Sequence, residues 1–301
     1  QPDPPAVQVL NQTQRFLDAF AHQTRAQGAM AQKLARDAAG SARSLIADPM
    51  GSIESAGEMA ESVARLLAPA SQPLGPVLQD RSLSCHFDVL KLPLAPMKAA
   101  GHAVGGKLND AFVAGILLGI RHYHHELGSD VEALRMAMPI NIRTDDGPAT
   151  AGNSFVPARF QIAADSDDPI DALRETHQRL QEIVHEPAYA LVDPLSALLN
   201  RFPATVTTGI FGSMMRGLDF QASNVPGSPL TMYLLGHEVE RVVPFGPMAG
   251  AGANITLLSY GTDLNIGINV DPAAVTDPAL FSRCLDTAYA EVMAVGERNG
   301  P

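Results

Sequence analysis

The stretch ANITLLSYGTDLNIGINVD, residues 253–271, sets two apolar runs on either side of the turn signal YGTD. Aliphatic and β-branched runs around a glycine-bearing turn predict a β-hairpin, and no other hairpin signal in the chain is as strong. Downstream, TDPALFSRCLDTAYAEVMAV (276–295) reads as a closing helix capped by Thr276 or Asp277. Upstream lies SNVPGS (223–228), which follows residues of strand character. Its Pro226-Gly227 pair predicts a type II-like turn. Such a bend beside the Asn224 side chain can offer amide N–H groups to a developing oxyanion; it can equally be only a turn.

Further upstream, DDPIDALRETHQRLQEIV (167–184) carries a helix start, with Asp167 or Asp168 as cap and Pro169 in the first turn. LRMAMPINIR (134–143) reads as a buried strand, and NSFVPARFQIA (153–163) as a second one. Pro157 makes the latter an edge or bulged strand, because proline cannot donate to a ladder. A long helix is predicted from about Leu108 to Glu126, with a short one around Met97. Leu83, Cys85, Phe87 and Val89 alternate, which reads as a half-buried strand. Residues 191–217 read as two helices.

The first 70 residues are rich in Ala, Gln, Arg and Ser. Phe16, Leu17, Phe20, Met30 and Leu34 suit one long helix, and a second follows the turn ADPMG (47–51) as far as Leu67. APASQPLGP (68–76) is the sharpest composition break and reads as a linker. The organisation is therefore a helical arm over 1–70 and a lobe over 71–301, the latter an α+β arrangement with a mixed sheet.

Composition narrows the function classes. A formal charge of −11 leaves no basic stripe for nucleic acid. The longest apolar run, AFVAGILLGI (111–120), has ten residues, against roughly 20 for a bilayer-spanning helix. Cys85 and Cys284 alone make neither a disulfide framework nor a zinc cluster, so a reducing compartment is expected. The opening on Gln1 reads as a chain cut from something longer.

Three groups of residues could carry chemistry. In HYHHELGSD (122–130), His122 and His125 fall one helical turn apart, which is ligand spacing for zinc. Nothing elsewhere is spaced to complete that site, so these histidines are expected at the solvent-facing end of the helix, where the dipole favours them. Asn109 and Asp110, in LNDAF (108–112), start the long helix; they read as caps, or as groups that orient a catalytic base or a neighbouring lobe. Arg143, with Asp145, Asp146 and Gly152-Asn153 after it, has no Gly-rich strand-to-helix motif to make a phosphate site. No GxSxG elbow accompanies Ser259 or any other serine.

In their order, these motifs resemble the bacterial wax ester synthase/diacylglycerol acyltransferase family. The resemblance runs over roughly residues 70–295, through LNDAF, MPINIR, GNSF, DDPIDAL, SNVPGS and ITLLSYGTDLNIGINVDP to TDPALF. It implies one lobe of the two-lobed chloramphenicol acetyltransferase-like fold, shared with condensation domains, with residues 1–70 as the connector between lobes. The family's ND motif maps onto Asn109 and Asp110, and its NVPG motif onto Asn224, Val225, Pro226 and Gly227. Two departures stand out: Ser228 precedes Pro229 where the family has NVPGP, and Lys107 replaces the usual Thr.

The family's HHxxxDG motif is absent. Were His124-His125 that pair, Asp and Gly would be needed where Ser129 and Asp130 stand. The resemblance thus implies that the general base belongs to an N-terminal lobe, a second chain or a missing segment, and that residues 1–301 alone are inactive. The implied reaction moves a fatty acyl group from acyl-CoA to a long-chain alcohol or diacylglycerol, with no metal and no cofactor beyond the acyl-CoA co-substrate. The alternative is a non-catalytic lipid-binding or scaffold protein on the same fold. Such apolar substrates imply a cytoplasmic protein docked peripherally at the inner membrane or on lipid droplets. Arg15, Arg25, Lys33, Arg36 and Arg43 would permit docking by the arm; the favoured alternative is that the arm simply packs across both lobes.

Overall fold

The computed structural model of the protein describes residues 72–141, 155–185, 215 and 217–299. The arm helices over 1–67, the residues from Arg143 to Asn153 and nearly all of 191–217 lie outside the described residues. In chain order the elements are β1 (His86–Pro93), α1 (Leu94–Ala103), α2 (Leu108–Glu126), β2 (Ala133–Asn141), β3 (Phe155–Ala163) and α3 (Pro169–Val184). There follow β4 (Phe220–Val225), the short β5 (Tyr233–Leu234) and β6 (His237–Glu238), β7 (Ala253–Tyr260), β8 (Asp263–Val270) and α4 (Pro278–Asn299).

The main sheet has the order β1-β8-β7-β4-β2-β3. Its centre is parallel, β4 pairing with both β2 and β7, while β1/β8, β7/β8 and β2/β3 are antiparallel. The mixed sheet expected from the sequence is thus present. The 253–271 hairpin forms as β7 and β8, closed by Gly261-Thr262, with Tyr260 opposite Asp263 and Gly261 at φ 60°. A glycine with positive φ first in a two-residue turn matches the right-handed twist of the strands.

Local signals also set the helix starts. Asp168 accepts the N–H groups of Ile170 and Asp171, with Pro169 at the first helical position of α3. Asp277 accepts the Leu280 amide to cap α4. Pro157 sits on β3, an edge strand, opposite Pro139.

The run AFVAGILLGI is apolar all round because α2 is enclosed; every residue from Asp110 to Ile120 is buried. Gly115 admits the ring of Tyr289 from α4, which lies parallel to Phe112 with centroids 6.5 Å apart. Burying side chains such as Ile116 and Leu118 stabilises by about 1.5–3 kcal/mol each. Among the described residues no single helix is long and apolar enough to cross a membrane.

The opposite face of the sheet is polar and covered. Asn269, Asn254 and Gln221, on β8, β7 and β4, donate to the carbonyls of Gly246, Pro247 and Met248 at 2.6, 2.9 and 3.0 Å. Three side-chain amides thereby take up three successive carbonyls of one overlying segment, which spares buried polar groups an unpaired state.

Two expectations are corrected here. Leu83 and Cys85 precede β1 and are exposed, and Phe87 is exposed too. The face that packs is the other one: Leu92 is buried and Leu90 lies against the core. β1 is an edge strand, and Phe87, on the face away from Leu90 and Leu92, meets Phe245 edge-on at 5.2 Å. Residues 72–76, read as linker, are pinned: Asp219 accepts the amides of Leu74 and Gly75, and Leu78 has no exposed surface.

Candidate functional site at the carboxyl end of the parallel strands

Because β2, β4 and β7 run parallel, their carboxyl ends share one end of the sheet. Open α/β sheets bind ligands outside that end. The amino end of α2 lies there, since the Asn109 side chain reaches Met138 near the end of β2, Nδ2 to Sδ 3.5 Å. Asn224 is the penultimate residue of β4. Strand alternation puts it with Phe220 and Ala222, which are buried in the helix-side core. Met138 belongs to the same core. Asn109 and Asn224 therefore occupy one face at one end of adjacent parallel strands.

Neither Asn109 nor Asp110 is the cap residue of α2; Lys107 holds that position. Asp110, third in the helix, reaches back so that its Oδ2 accepts the Lys107 N–H at 2.6 Å. That is the reciprocal half of a capping box, with no Ser or Thr to supply the other half. Its second oxygen, Oδ1, lies 3.2 Å from Nδ1 of His177 on α3. The Asp110 side chain is 8% exposed and His177 is 26% exposed. Gly106 makes room for the pair: a Cβ there would stand 2.8 Å from Asp110 Oδ2 and 3.0 Å from His177 Nδ1. Among the described residues Asn109 finds only a thioether, a weak acceptor.

The type II-like turn predicted at Pro226-Gly227 does not form. Gly227 has no positive φ. Glycine is required there by close approach, since a Cβ at 227 would overlap the carbonyl oxygen of Ser259 on β7. The oxyanion reading of the loop weakens with it: the Gly227 N–H already donates to Ser259 Oγ at 3.1 Å, and Pro226 has none. Beyond Gly227 the chain carries an apolar rim. Leu230, Tyr233, Leu234 and Leu235 are all exposed, Leu235 the most at 94%, and Val225, just before the loop, is exposed as well. Tyr260 anchors this segment, donating its hydroxyl to Val239 O and accepting the Met232 amide.

The three histidines of HYHHELGSD diverge. His122 meets Glu291 at 3.5 Å, and His125 meets Asp130 at 3.3 Å. His124, expected toward solvent, is fully buried, with Nδ1 on Ile120 O at 2.7 Å and, among the described residues, no partner for Nε2. Gly75 and Asp219 lie beside it: a Cβ at residue 75 would stand 3.1 Å from His124 Nε2 and 3.0 Å from Asp219 Oδ1. Burial holds the His124 pKa below the ordinary value. Burial also raises the Asp219 carboxyl, more than its three backbone N–H partners lower it. Among the described residues no group of three or more His, Cys, Asp or Glu side chains could hold a metal ion.

Residues 151–293 match the family described as the WS/DGAT C-terminal domain. The chain carries a WS/DGAT C-terminal domain. Its relatives agree. A protein of Mycobacterium tuberculosis strain H37Rv, provisionally named a diacylglycerol O-acyltransferase, is 31% identical over 256 residues, 85% of this chain and 52% of that one. A second from the same strain, similarly named, is 27% identical over 256 residues, 82% of this chain and 54% of that one. The chain spans about half the length of the curated relatives it matches.

Two solved structures share the fold of this WS/DGAT C-terminal domain. The wax ester synthase/diacylglycerol acyltransferase from Marinobacter aquaeolei VT8 superposes with a TM-score of 0.53 at 19% identity, covering 81% of this chain and 57% of that one. A structure of condensation domain-mediated chain release from the enacyloxin polyketide synthase gives 0.53 at 17% identity, covering 83% and 49%. The chloramphenicol acetyltransferase-like lobe implied by the sequence is the fold found.

Sequence reading singled out Asn109 and Asp110, which precede the matched residues 151–293, and the 224–227 segment within them. It missed His177, Gly106 and Ser259. His177 reads as an ordinary helix residue in ETHQRL, and only the docking of α3 on α2 brings it to Asp110 across 67 residues.

Proposed function

We propose that this chain supplies the C-terminal lobe of an O-acyltransferase that moves a fatty acyl group from acyl-CoA to a long-chain alcohol or diacylglycerol. The observation that carries the reading is the placement of Asn109 and Asn224 at one face and one end of the parallel strands, beside the apolar rim at 225–235. A long-chain substrate needs apolar walls with a few placed polar groups, and that end of the lobe has both. The names of the mycobacterial relatives and the chain's half-length coverage of them support it further.

In the proposed reaction the second His of an HHxxxDG motif, on an N-terminal lobe, takes the proton from the acceptor hydroxyl. The alkoxide attacks the thioester carbonyl, and the tetrahedral intermediate collapses with expulsion of the CoA thiolate. That thiolate recovers the proton from the imidazolium, so the products are the ester and free CoA. On this chain, Asn109 and Asp110 support the lobe interface and the base, and Asn224, Val225, Pro226 and Gly227 line the acyl or CoA path. No metal takes part. The partner surface for the 230–235 rim is the N-terminal lobe, and peripheral contact with the inner membrane or lipid droplets would bring the acceptor within reach.

Reconstitution tests the reading. Residues 1–301 alone should transfer no radiolabelled acyl group, and should gain transfer when an HHxxxDG-bearing lobe of a relative is added. Robust transfer by 1–301 alone would sink it. Tight binding of both lobes to lipid vesicles without any transfer would favour the scaffold reading.

A further inference from the structure

We infer that His177 is a positioning residue that acts through Asp110 to fix the first turn of α2, and with it the Asn109 side chain. The inference rests on the reading that Asn109 and Asp110 serve acyl transfer. Asp110 is a buried carboxylate with two oxygens and two partners on different elements. Oδ2 takes the Lys107 N–H at 2.6 Å and Oδ1 faces His177 Nδ1 at 3.2 Å. An imidazole nitrogen facing a carboxylate carries the proton, so Nδ1–H donates to Oδ1.

With both oxygens held, the carboxylate cannot turn about its terminal torsion, and Oδ2 stays on the amide that starts the helix. Without His177 a buried charge loses one of its two hydrogen bonds, and the group would rotate toward water. Lys107 would then return to the unpaired state of a free helix end. Asn109 sits one residue before Asp110, and its own bond to Met138 Sδ is too weak to hold the turn in place. Gly106 is a second, independent mark of the arrangement, since any side chain there would press on both Asp110 Oδ2 and His177 Nδ1.

The test uses the full 301-residue chain carrying His177→Ala, His177→Asn or Asp110→Asn. Asparagine at 177 keeps an N–H donor close to the place of Nδ1. Amide hydrogen exchange over residues 104–112 should run about tenfold faster in His177→Ala and Asp110→Asn, and return to the native rate in His177→Asn. Exchange over α4 should stay native in all three, which excludes general unfolding as the cause. With the N-terminal lobe added, kcat should fall about tenfold in His177→Ala at unchanged KM for acyl-CoA, and recover in His177→Asn. Native exchange in His177→Ala overturns the inference. So does a His177→Asn chain as defective as His177→Ala, which would leave only a packing role. Altered exchange with native kcat would overturn the link to catalysis. If the native pair of lobes transfers nothing, the acyltransferase reading has failed, and exchange alone decides whether His177 holds the turn.

Discussion

Gly75 donates its backbone N–H to Asp219 Oδ1 at 2.7 Å across 144 residues of sequence. The other oxygen of the same carboxylate accepts the amides of Leu74 and Arg135 at 3.1 and 2.7 Å. One buried side chain thus joins the start of the lobe, β2 and the approach to β4. Asp219→Ala would leave these amides without an acceptor, at roughly 1–3 kcal/mol for each that water cannot reach. The expected loss is about 3 kcal/mol, seen as a lower urea midpoint. Asp219→Asn, which keeps one acceptor oxygen, should lose less.

His124 gives stability a pH dependence of known sign. Burial lowers its folded pKa below the ordinary 6.5. The unfolded chain therefore binds the proton more readily, and the stability conferred by the neutral buried ring is fully present above pH 6.5. It is lost as pH falls from 6.5 through the lowered folded value, at up to about 1.4 kcal/mol per pH unit. The difference in unfolding free energy between the native chain and His124→Leu, measured from pH 7.5 to 5, should narrow as the pH falls. A difference that stays constant would contradict the assignment.

Gly227→Ala tests whether this glycine is present for its backbone freedom or for its size. A Cβ at 227 would overlap the Ser259 carbonyl, so β4 and β7 would have to part at their carboxyl ends. Overpacking of this kind costs about 1–3 kcal/mol. A thermal melt should show the loss, and chemical shifts or exchange rates should change at residues 257–260 and not in α3.

The two thiols should react at separate rates. Cys85 is exposed, whereas Cys284 is buried and its pKa is pushed up to about 11, chiefly by burial. At pH 8 an aromatic disulfide reagent should find one fast thiol, which Cys85→Ser removes. The second should respond only after denaturant is added.

Asp110 and His177 mark the limit of what local pattern conveys. The sequence placed Asp110 in the first turn of a helix and offered capping or orientation as its role. In the structure one of its oxygens accepts the Lys107 amide and the other faces His177. The cap was legible because it spans three residues. The partner on α3 was not, because nothing in ETHQRL distinguishes a histidine that faces α2 from one that faces water.

The sequence by itself determined the elements whose signals are local. Turn chemistry at YGTD fixed the β7–β8 hairpin, Asp168 and Pro169 fixed the start of α3, and an apolar run without a polar face made α2 a buried helix. The order of motifs was enough to identify the WS/DGAT C-terminal domain. Tertiary structure alone decided which face of β1 packs, why residue 227 is glycine, that His124 is buried, and that Asp110 has a second partner. Each depends on groups far apart in the chain and on the side of the sheet where the helices settle. Such contacts leave no periodic trace along the sequence, because burial is set by what packs opposite a residue and not by its neighbours in the chain.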